Sequence, residues 1–170
     1  MGLIRDILQS KKKPKEKVSL LVKKVRKDIN LLDEVVRYFE VGSTAEKGSC
    51  IEVMEYVSQD KPDLILPYLD FIIKHINDDA PRVKWETARV IGNLSSKYQD
   101  EVSKSIEKLF LNTKDKGTVV RWSAAFALTE IAKNNSKLQE KLTQQFNQII
   151  KKEDNNGVKN VYLKALKILE

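Results

Sequence analysis

The feature that most constrains the fold is a repeat with a period of 37 residues. The segment PRVKWETARVIGNL at 81–94 is echoed by TVVRWSAAFALTEI at 118–131, and each copy contains one of the two tryptophans of the chain. Self-similarity at this period indicates stacked supersecondary units rather than one irregular core. Two further segments fit the same template, the last of them after a shift of 38. The four related segments are 46–58, 83–95, 120–132 and 158–169.

A second amphipathic segment precedes each of these four. Apolar residues recur at three- and four-residue spacing in all eight segments, which predicts helices. Short links rich in Gly, Asp and Asn separate them, and Pro62 suits a first helical turn. Helix–turn–helix at this period predicts an all-α stacked solenoid. The preceding helices are expected at 31–39, 62–76, 100–112 and 137–150.

Two stretches carry a family resemblance. DDAPRVKWETARVIGNL and KDKGTVVRWSAAFALTEIA resemble the HEAT-repeat signature: a turn with Asp, a Val-Lys/Arg pair, an alanine and spaced large aliphatics. The resemblance is strong over 62–133 and fair over 29–58 and the last repeat, where Leu163 replaces the alanine. It implies a right-handed, armadillo-like α-solenoid of about four helix pairs. It also implies that the second helix of each pair lines a concave surface.

The positive charge is concentrated at the N-terminus. The chain has 31 basic and 24 acidic residues, a net charge of +7. Residues 1–27 hold ten basic and two acidic residues (10 − 2 = +8), and the other 143 hold 21 and 22 (21 − 22 = −1). We therefore predict a basic leader with an atypical capping helix at Val18–Lys27, followed by a HEAT-repeat domain at 28–170. A solvated, partly disordered lysine tail is favoured, with contact to an anionic membrane or to nucleic acid as the alternative.

The two tryptophans lie away from the predicted core stripe. On a helical wheel, the apolar residues after Trp85 centre on the opposite side of the helix, and Trp122 occupies the equivalent slot. Together with Arg89 and Phe126 they form a candidate partner-binding strip, because aromatic and arginine side chains dominate binding hot spots. Packing of the two indole rings between repeats is the other interpretation, and the pattern leaves both open.

Residues that carry catalytic chemistry are scarce. Cys50 is the only cysteine and falls in the core stripe, where it is expected to be a small buried filler. His75 is the only histidine and is expected to be a partly exposed helix residue. Asp78–Asp79 and Asp154 are expected to cap helices. The sequence predicts no catalytic residue, no cofactor and no metal site.

The function predicted is that of a non-enzymatic scaffold that binds a protein or peptide partner on its concave face. The alternative is a nucleic-acid-binding or DNA-repair protein, because some alkylpurine DNA glycosylases are built from HEAT-like repeats with concave tryptophans, arginines and an aspartate. An aspartate one turn from either tryptophan is missing, and the body of the chain is neutral. Phycobilin lyases also carry VRWxAA-type repeats, but no residue points to a chromophore.

Location and assembly are predicted from two further features. No apolar run approaches the 18 or so residues that span a bilayer, and the first residues lack a secretory pattern, so a cytoplasmic protein is expected. The last helix, ending in LKALKILE, has apolar residues that no further repeat covers. Self-association into a homo-oligomer through this end is therefore predicted.

Overall fold

A computed structural model describes residues 2–170, and every regular element in that range is a helix. The chain divides into two compact units, Met1–Pro67 and Tyr68–Glu170. The first unit contains α1 (Gly2–Leu8), α2 (Pro14–Lys27), α3 (Leu31–Val41), α4 (Thr44–Asp60) and α5 (Pro62–Ile65). The second contains α6 (Leu69–Lys74), α7 (Pro81–Leu94), α8 (Gln99–Ser103), α9 (Ile106–Asn112), α10 (Thr118–Asn134), α11 (Gln139–Lys152) and α12 (Asn156–Leu169).

All eight predicted repeat helices form, but two of them are broken. The segment predicted at 62–76 is α5, a 3-10 turn at Leu66–Tyr68 and α6, because Pro67 has no N–H to donate to the helix. The segment at 100–112 is split into α8 and α9. At the break, the Ser105 hydroxyl donates to the Val102 carbonyl at 2.6 Å, so a side chain competes for the backbone acceptor. A 3-10 turn at Ser136–Leu138 precedes α11.

The N-terminal leader is helical over most of its length, and the prediction of a partly disordered lysine tail is wrong for residues 2–17, the segment to which it applies. Pro14 occupies the first turn of α2, and the Glu16 carboxylate accepts the Lys13 N–H at 3.3 Å. Ile4 and Leu21 are fully buried, because α1 packs on α3 and α2 packs on α4. The capping helix begins at Pro14, earlier than the predicted Val18. The domain boundary at residue 27 stays a prediction.

The core of the second unit is centred on α10. This helix packs against α7 and α12, and also against α8, α9 and α11. Its inner face carries small side chains such as Ala124 and Ala125, both fully buried, which allow close approach of neighbouring helices. Val83, Ile91 and Leu128 fill the rest of the α7–α10 contact region and are also fully buried. Within residues 2–170, none of the helices has the length and apolarity needed to cross a membrane.

Candidate partner-binding site

Consecutive residues of the repeated Val-Lys/Arg-Trp triplet lie on different faces of α7 and α10. Neighbouring side chains on a helix are about 100° apart, so the cation and the tryptophan of each triplet point in different directions. Lys84 and Arg121 reach carboxylates in the turn that precedes the second helix of the following repeat. Trp85 and Trp122 lie on another face, where Trp85 is half-buried and Trp122 is exposed. The triplet therefore contributes to two surfaces.

The aromatic part of the strip is built on α10. Trp122 is 39% exposed, and its ring stacks on that of Phe126 one helical turn later, with centroids 5.9 Å apart and planes 4° apart. Phe126 in turn lies against α7 at Gly92. A Cβ atom on Gly92 would be 2.2 Å from the Phe126 ring, so only glycine leaves room for this ring position. The glycine thus sets where the two stacked rings sit.

The cation of the strip, Arg89, and a neighbouring cation, Lys133, each form an ion pair within their own helix. The Arg89 side chain is 40% exposed, and its Nη1 lies 3.6 Å from Oε1 of Glu86, one turn earlier on α7. On α10, Lys133 Nζ lies 2.9 Å from Oε2 of Glu130. Each cation therefore has a carboxylate beside it, so the surface has mixed rather than uniformly positive charge. The structure brings Trp122 and Phe126 into contact and places Trp85 and Arg89 on α7. Their role in binding stays a prediction.

On the other face, two ion pairs join successive repeats, and we call them the ladder. Lys84 Nζ lies 2.8 Å from Oδ1 of Asp115, which is 31 residues further along the chain. Arg121 donates from Nε to Oε1 of Glu153 at 2.8 Å and from Nη2 to Oε2 at 3.2 Å. The second pair is bidentate and its carboxylate is buried, with the Glu153 side chain 4% exposed. A guanidinium fits a carboxylate in this manner, whereas an ammonium makes a single contact.

The ladder carboxylates also organise the turns in which they lie. Asp115 Oδ2 accepts the Gly117 N–H at 2.8 Å, and Glu153 Oε2 accepts the Asn155 N–H at 2.9 Å. Asp78 accepts the Ala80 N–H at 3.0 Å and so holds the turn before α7, but the N-cap of this helix is Ala80 and not the predicted aspartates. At the last turn the helix is capped by Asn155, whose Oδ1 accepts the Val158 N–H at 3.0 Å, and not by the predicted Asp154; Glu153 holds the turn through the Asn155 N–H. The last repeat is longer by one residue, so Glu153 aligns with Asp115.

Both ladder carboxylates are ionised in the folded protein at neutral pH. Burial by itself disfavours the charged form of Asp115, but hydrogen bonds from Lys84 and the Gly117 amide outweigh it and lower the pKa of this carboxyl. Burial likewise opposes ionisation of Glu153, and the hydrogen bonds from Arg121 and the Asn155 amide lower its pKa. The pKa of Arg121 is raised, chiefly by its hydrogen bond to Glu153. The ladder is therefore a set of charged pairs.

The remaining residues singled out in the sequence have structural surroundings. Cys50 is buried and unbridged, as predicted for a core filler. His75 ends α6 and is partly exposed, as predicted, with 14% of its side chain accessible: its Nδ1 lies 3.3 Å from Oδ2 of Asp78, and its ring centroid lies 4.9 Å from that of Phe71. Across residues 2–170, the His, Cys, Asp and Glu side chains form no cluster of three or more that could hold a metal ion.

Three solved structures resemble this fold over 98% of the chain. An engineered protein matches with a TM-score of 0.77 at 16% identity, over 79% of its own length. A designed armadillo repeat protein in complex with the peptide (KR)4 matches at 0.75 with 19% identity, over 80% of its length. Computationally designed armadillo repeat proteins for modular peptide recognition match at 0.73 with 17% identity, over 81%. These similarities confirm the predicted all-α, armadillo-like repeat fold.

The sequence itself matches a family. No curated protein sequence matches the chain. Residues 47–169, which include α7, α10 and α12 with the strip and the ladder, match the profile described as "Cnd1: non-SMC mitotic condensation complex subunit 1". The predicted HEAT-type resemblance is thereby confirmed. The chain belongs to the Cnd1 family.

Proposed function

We propose that this protein is a non-enzymatic interaction module that binds a peptide segment of a partner protein along the strip of Trp85, Arg89, Trp122 and Phe126. The observation that carries the proposal is the exposed Trp122–Phe126 stack on α10. Two comparisons support it. The family description names a subunit of a complex, and one structural neighbour is described in complex with a peptide.

The physical argument concerns the cost of ordering on binding. An exposed indole offers a large contact area together with an N–H donor, which is why tryptophan is common in hot spots. Trp122 is already held against Phe126, and Phe126 is held against Gly92. A partner that covers these rings therefore loses little side-chain entropy on the side of this protein. Arg89 adds a partly exposed guanidinium beside the aromatic surface.

The mixed charge of the strip favours a peptide over a nucleic acid. Affinity for a phosphate backbone grows with the number of cations that contact it. Here Arg89 and Lys133 each lie beside a carboxylate of the same helix. Those carboxylates would repel phosphates, whereas the amide groups of a peptide can hydrogen-bond to either charge. The DNA-repair alternative therefore has no observation in its favour on this surface.

Location and self-association stay predictions. A cytoplasmic location is expected from the sequence alone. On α12, Leu163 and Ile168 are exposed, and Ile168 is 65% exposed. These side chains support the predicted homo-oligomer through the C-terminal repeat, which light scattering during gel filtration would measure.

The test of the proposed function uses a peptide selected against the protein itself. Displayed random 12-residue peptides are selected on the full chain, and the best binder is titrated against Trp122→Ala by fluorescence anisotropy. If the peptide binds along the strip, Trp122→Ala should bind it at least tenfold more weakly than the native protein does. Leu111→Ala is the matched control, because Leu111 is also a large exposed apolar residue but lies on α9, and it should change binding less than twofold.

Two outcomes contradict the proposal. Selection that yields no saturable binder shows that the strip does not take a peptide. A binder whose affinity is equal for the native protein, Trp122→Ala and Leu111→Ala occupies another surface. A thermal melt of each variant by circular dichroism shows whether the fold is retained.

A further inference from the structure

We propose that a groove between α2 and α4, in the first unit, is a second binding site and takes an acidic peptide segment that carries an apolar side chain. The groove has a volume of about 370 Å³. It lies on different helices from the strip and does not depend on the function proposed for the strip. The predicted capping helix, extended at its start by Lys15 of the predicted lysine tail, forms one wall of this groove.

The groove has an apolar floor between two different walls. Val18 and Val22 of α2 form the floor. Lys15 and Lys23, two exposed lysines, line the α2 side. The α4 side carries Tyr56, which is 43% exposed. A ring and two valines offer contact to an apolar group, while the ammonium groups at the rim attract negative charge.

One end of the groove is closed by an ion pair. Arg26 Nη2, near the end of α2, lies 2.9 Å from Oδ1 of Asp60 and 3.5 Å from the carbonyl oxygen of Tyr56, both on α4. This exposed pair links α2 to α4 beside the groove. Arg26 therefore supports the shape of the groove, and Lys15 and Lys23 supply the charge that a ligand meets.

The cationic surface extends past the groove along α2. A second cavity, of about 380 Å³, adjoins it and shares Lys15, Ser19 and Lys23 while adding Lys12. Lys15 and Lys23 are eight residues apart on α2, which places them on one side of the helix, and Lys12 lies just before the helix begins at Pro14. Residues 1–27 carry a net charge of +8 (10 − 2). A ligand in the groove is therefore attracted by more charge than the two lysines at its rim.

The charge and shape fit an acidic peptide better than the other anionic ligands. Glu52 lines the α4 side of the groove, so a continuous phosphate backbone would meet a carboxylate, while a peptide can place an apolar or amide group there. A membrane surface is disfavoured because Leu21 and Val25, on the apolar face of α2, are fully buried and cannot insert into lipid. An acidic segment with an apolar side chain matches both the rim and the floor.

The cationic wall lies outside the part of the chain that matches the family. The Cnd1 match begins at residue 47, after α2 and before most of α4. The groove therefore combines a family element, α4, with a helix that the family match does not include. This makes it a property of this chain rather than one implied by the family.

The experiment titrates the full-length protein against a fluorescein-labelled acidic octapeptide, EDELFDED, by fluorescence anisotropy. Lys15→Glu/Lys23→Glu should weaken binding at least tenfold. The matched control, Lys137→Glu/Lys141→Glu, removes the same charge from two exposed lysines of the second unit and should weaken it less than threefold. Replacing the Leu-Phe pair of the peptide by Gly-Ser should also weaken binding, because the groove floor then loses its contact.

The controls assign every outcome. Equal weakening by the two double variants shows attraction to net charge and overturns the site, as does failure of the peptide to bind at low salt. Tighter binding of a labelled single-stranded oligonucleotide, lost in Lys15→Glu/Lys23→Glu, shows a nucleic-acid surface and also overturns the proposal. Trp122→Ala should leave octapeptide binding unchanged, so failure of this groove and failure of the strip are separate results.

Discussion

The ladder and the strip lie on two faces of the same helices, and they use residues that are adjacent in sequence. Arg121 is 19% exposed and joined to the next repeat, whereas Trp122 is 39% exposed and contacts its own helix at Phe126. One residue of the triplet links repeats and the next is presented to solvent. The comparison indicates that a residue that joins repeats and a residue proposed to bind a partner can be neighbours in sequence and still face different surroundings. It also shows that likeness between repeats does not by itself mark a binding residue.

Arg121→Met should be the most damaging change to either face, with a loss of about 3 kcal/mol in the free energy of unfolding. It leaves the buried Glu153 carboxylate without its cation, and breaking one side of a buried pair typically costs 3–5 kcal/mol. Lys84→Met should cost only about 1 kcal/mol, because the Asp115 side chain is more exposed than that of Glu153 and receives only one contact from its cation. Urea unfolding followed by circular dichroism measures both. Equal losses would contradict the distinction between the two ladder pairs.

Lowering the pH should reduce the free energy of unfolding of the native protein more than that of the variant Arg121→Met. The folded-state pKa of Glu153 lies below its ordinary value of 4.5, so its contribution is present above that value and is lost as pH falls through the folded-state pKa. Asp115 behaves likewise below 3.8. In Arg121→Met the lowering of the Glu153 pKa is reduced, so the free energy of unfolding should fall less steeply below pH 4.5. Unfolding free energies measured from pH 6 to pH 3 test this, and parallel curves would contradict it.

Gly92→Ala should alter the strip and leave the ladder intact. The new methyl group would meet the Phe126 ring at 2.2 Å, so the ring must leave its position against Trp122. Crowding usually costs 1–3 kcal/mol, and the better helix propensity of alanine offsets about 1 kcal/mol of it. The net loss should lie between about 0 and 2 kcal/mol, with a changed near-ultraviolet circular dichroism signal. An unchanged aromatic signal would show that the stack does not depend on the glycine.

The helices of the repeats could be predicted from sequence because their apolar spacing and their period agree. The breaks at Pro67 and Ser105 could not be placed in the same way, since each depends on how one local group competes for the backbone. The lysines of residues 2–17 suggested disorder, because charge density outweighs the short apolar runs when this segment is considered alone. Packing of α1 on α3 and of α2 on α4 supplies the burial that the leader lacks by itself.

The positions of the strip residues were predictable, and the ladder was not. Trp85 and Trp122 stand out because tryptophan is rare in the chain and because the helical wheel places them away from the core. Lys84 and Asp115 are ordinary surface residue types, and their partnership spans 31 residues. The available signal was a cation before each tryptophan and a carboxylate in the following turn, repeated twice. A single repeat contains only half of each pair.

The hydrogen bonds of Glu153 have a consequence for local unfolding of the protein. Glu153 holds the turn before α12 and also receives Arg121 from α10, so the C-terminal helix pair cannot come loose without releasing a charged group on the preceding repeat. Neighbouring repeats in such proteins open in a coupled manner, to an extent set by their interfaces. Amide hydrogens of α11 and α12 should therefore exchange in the same cooperative event as those of the beginning of α10.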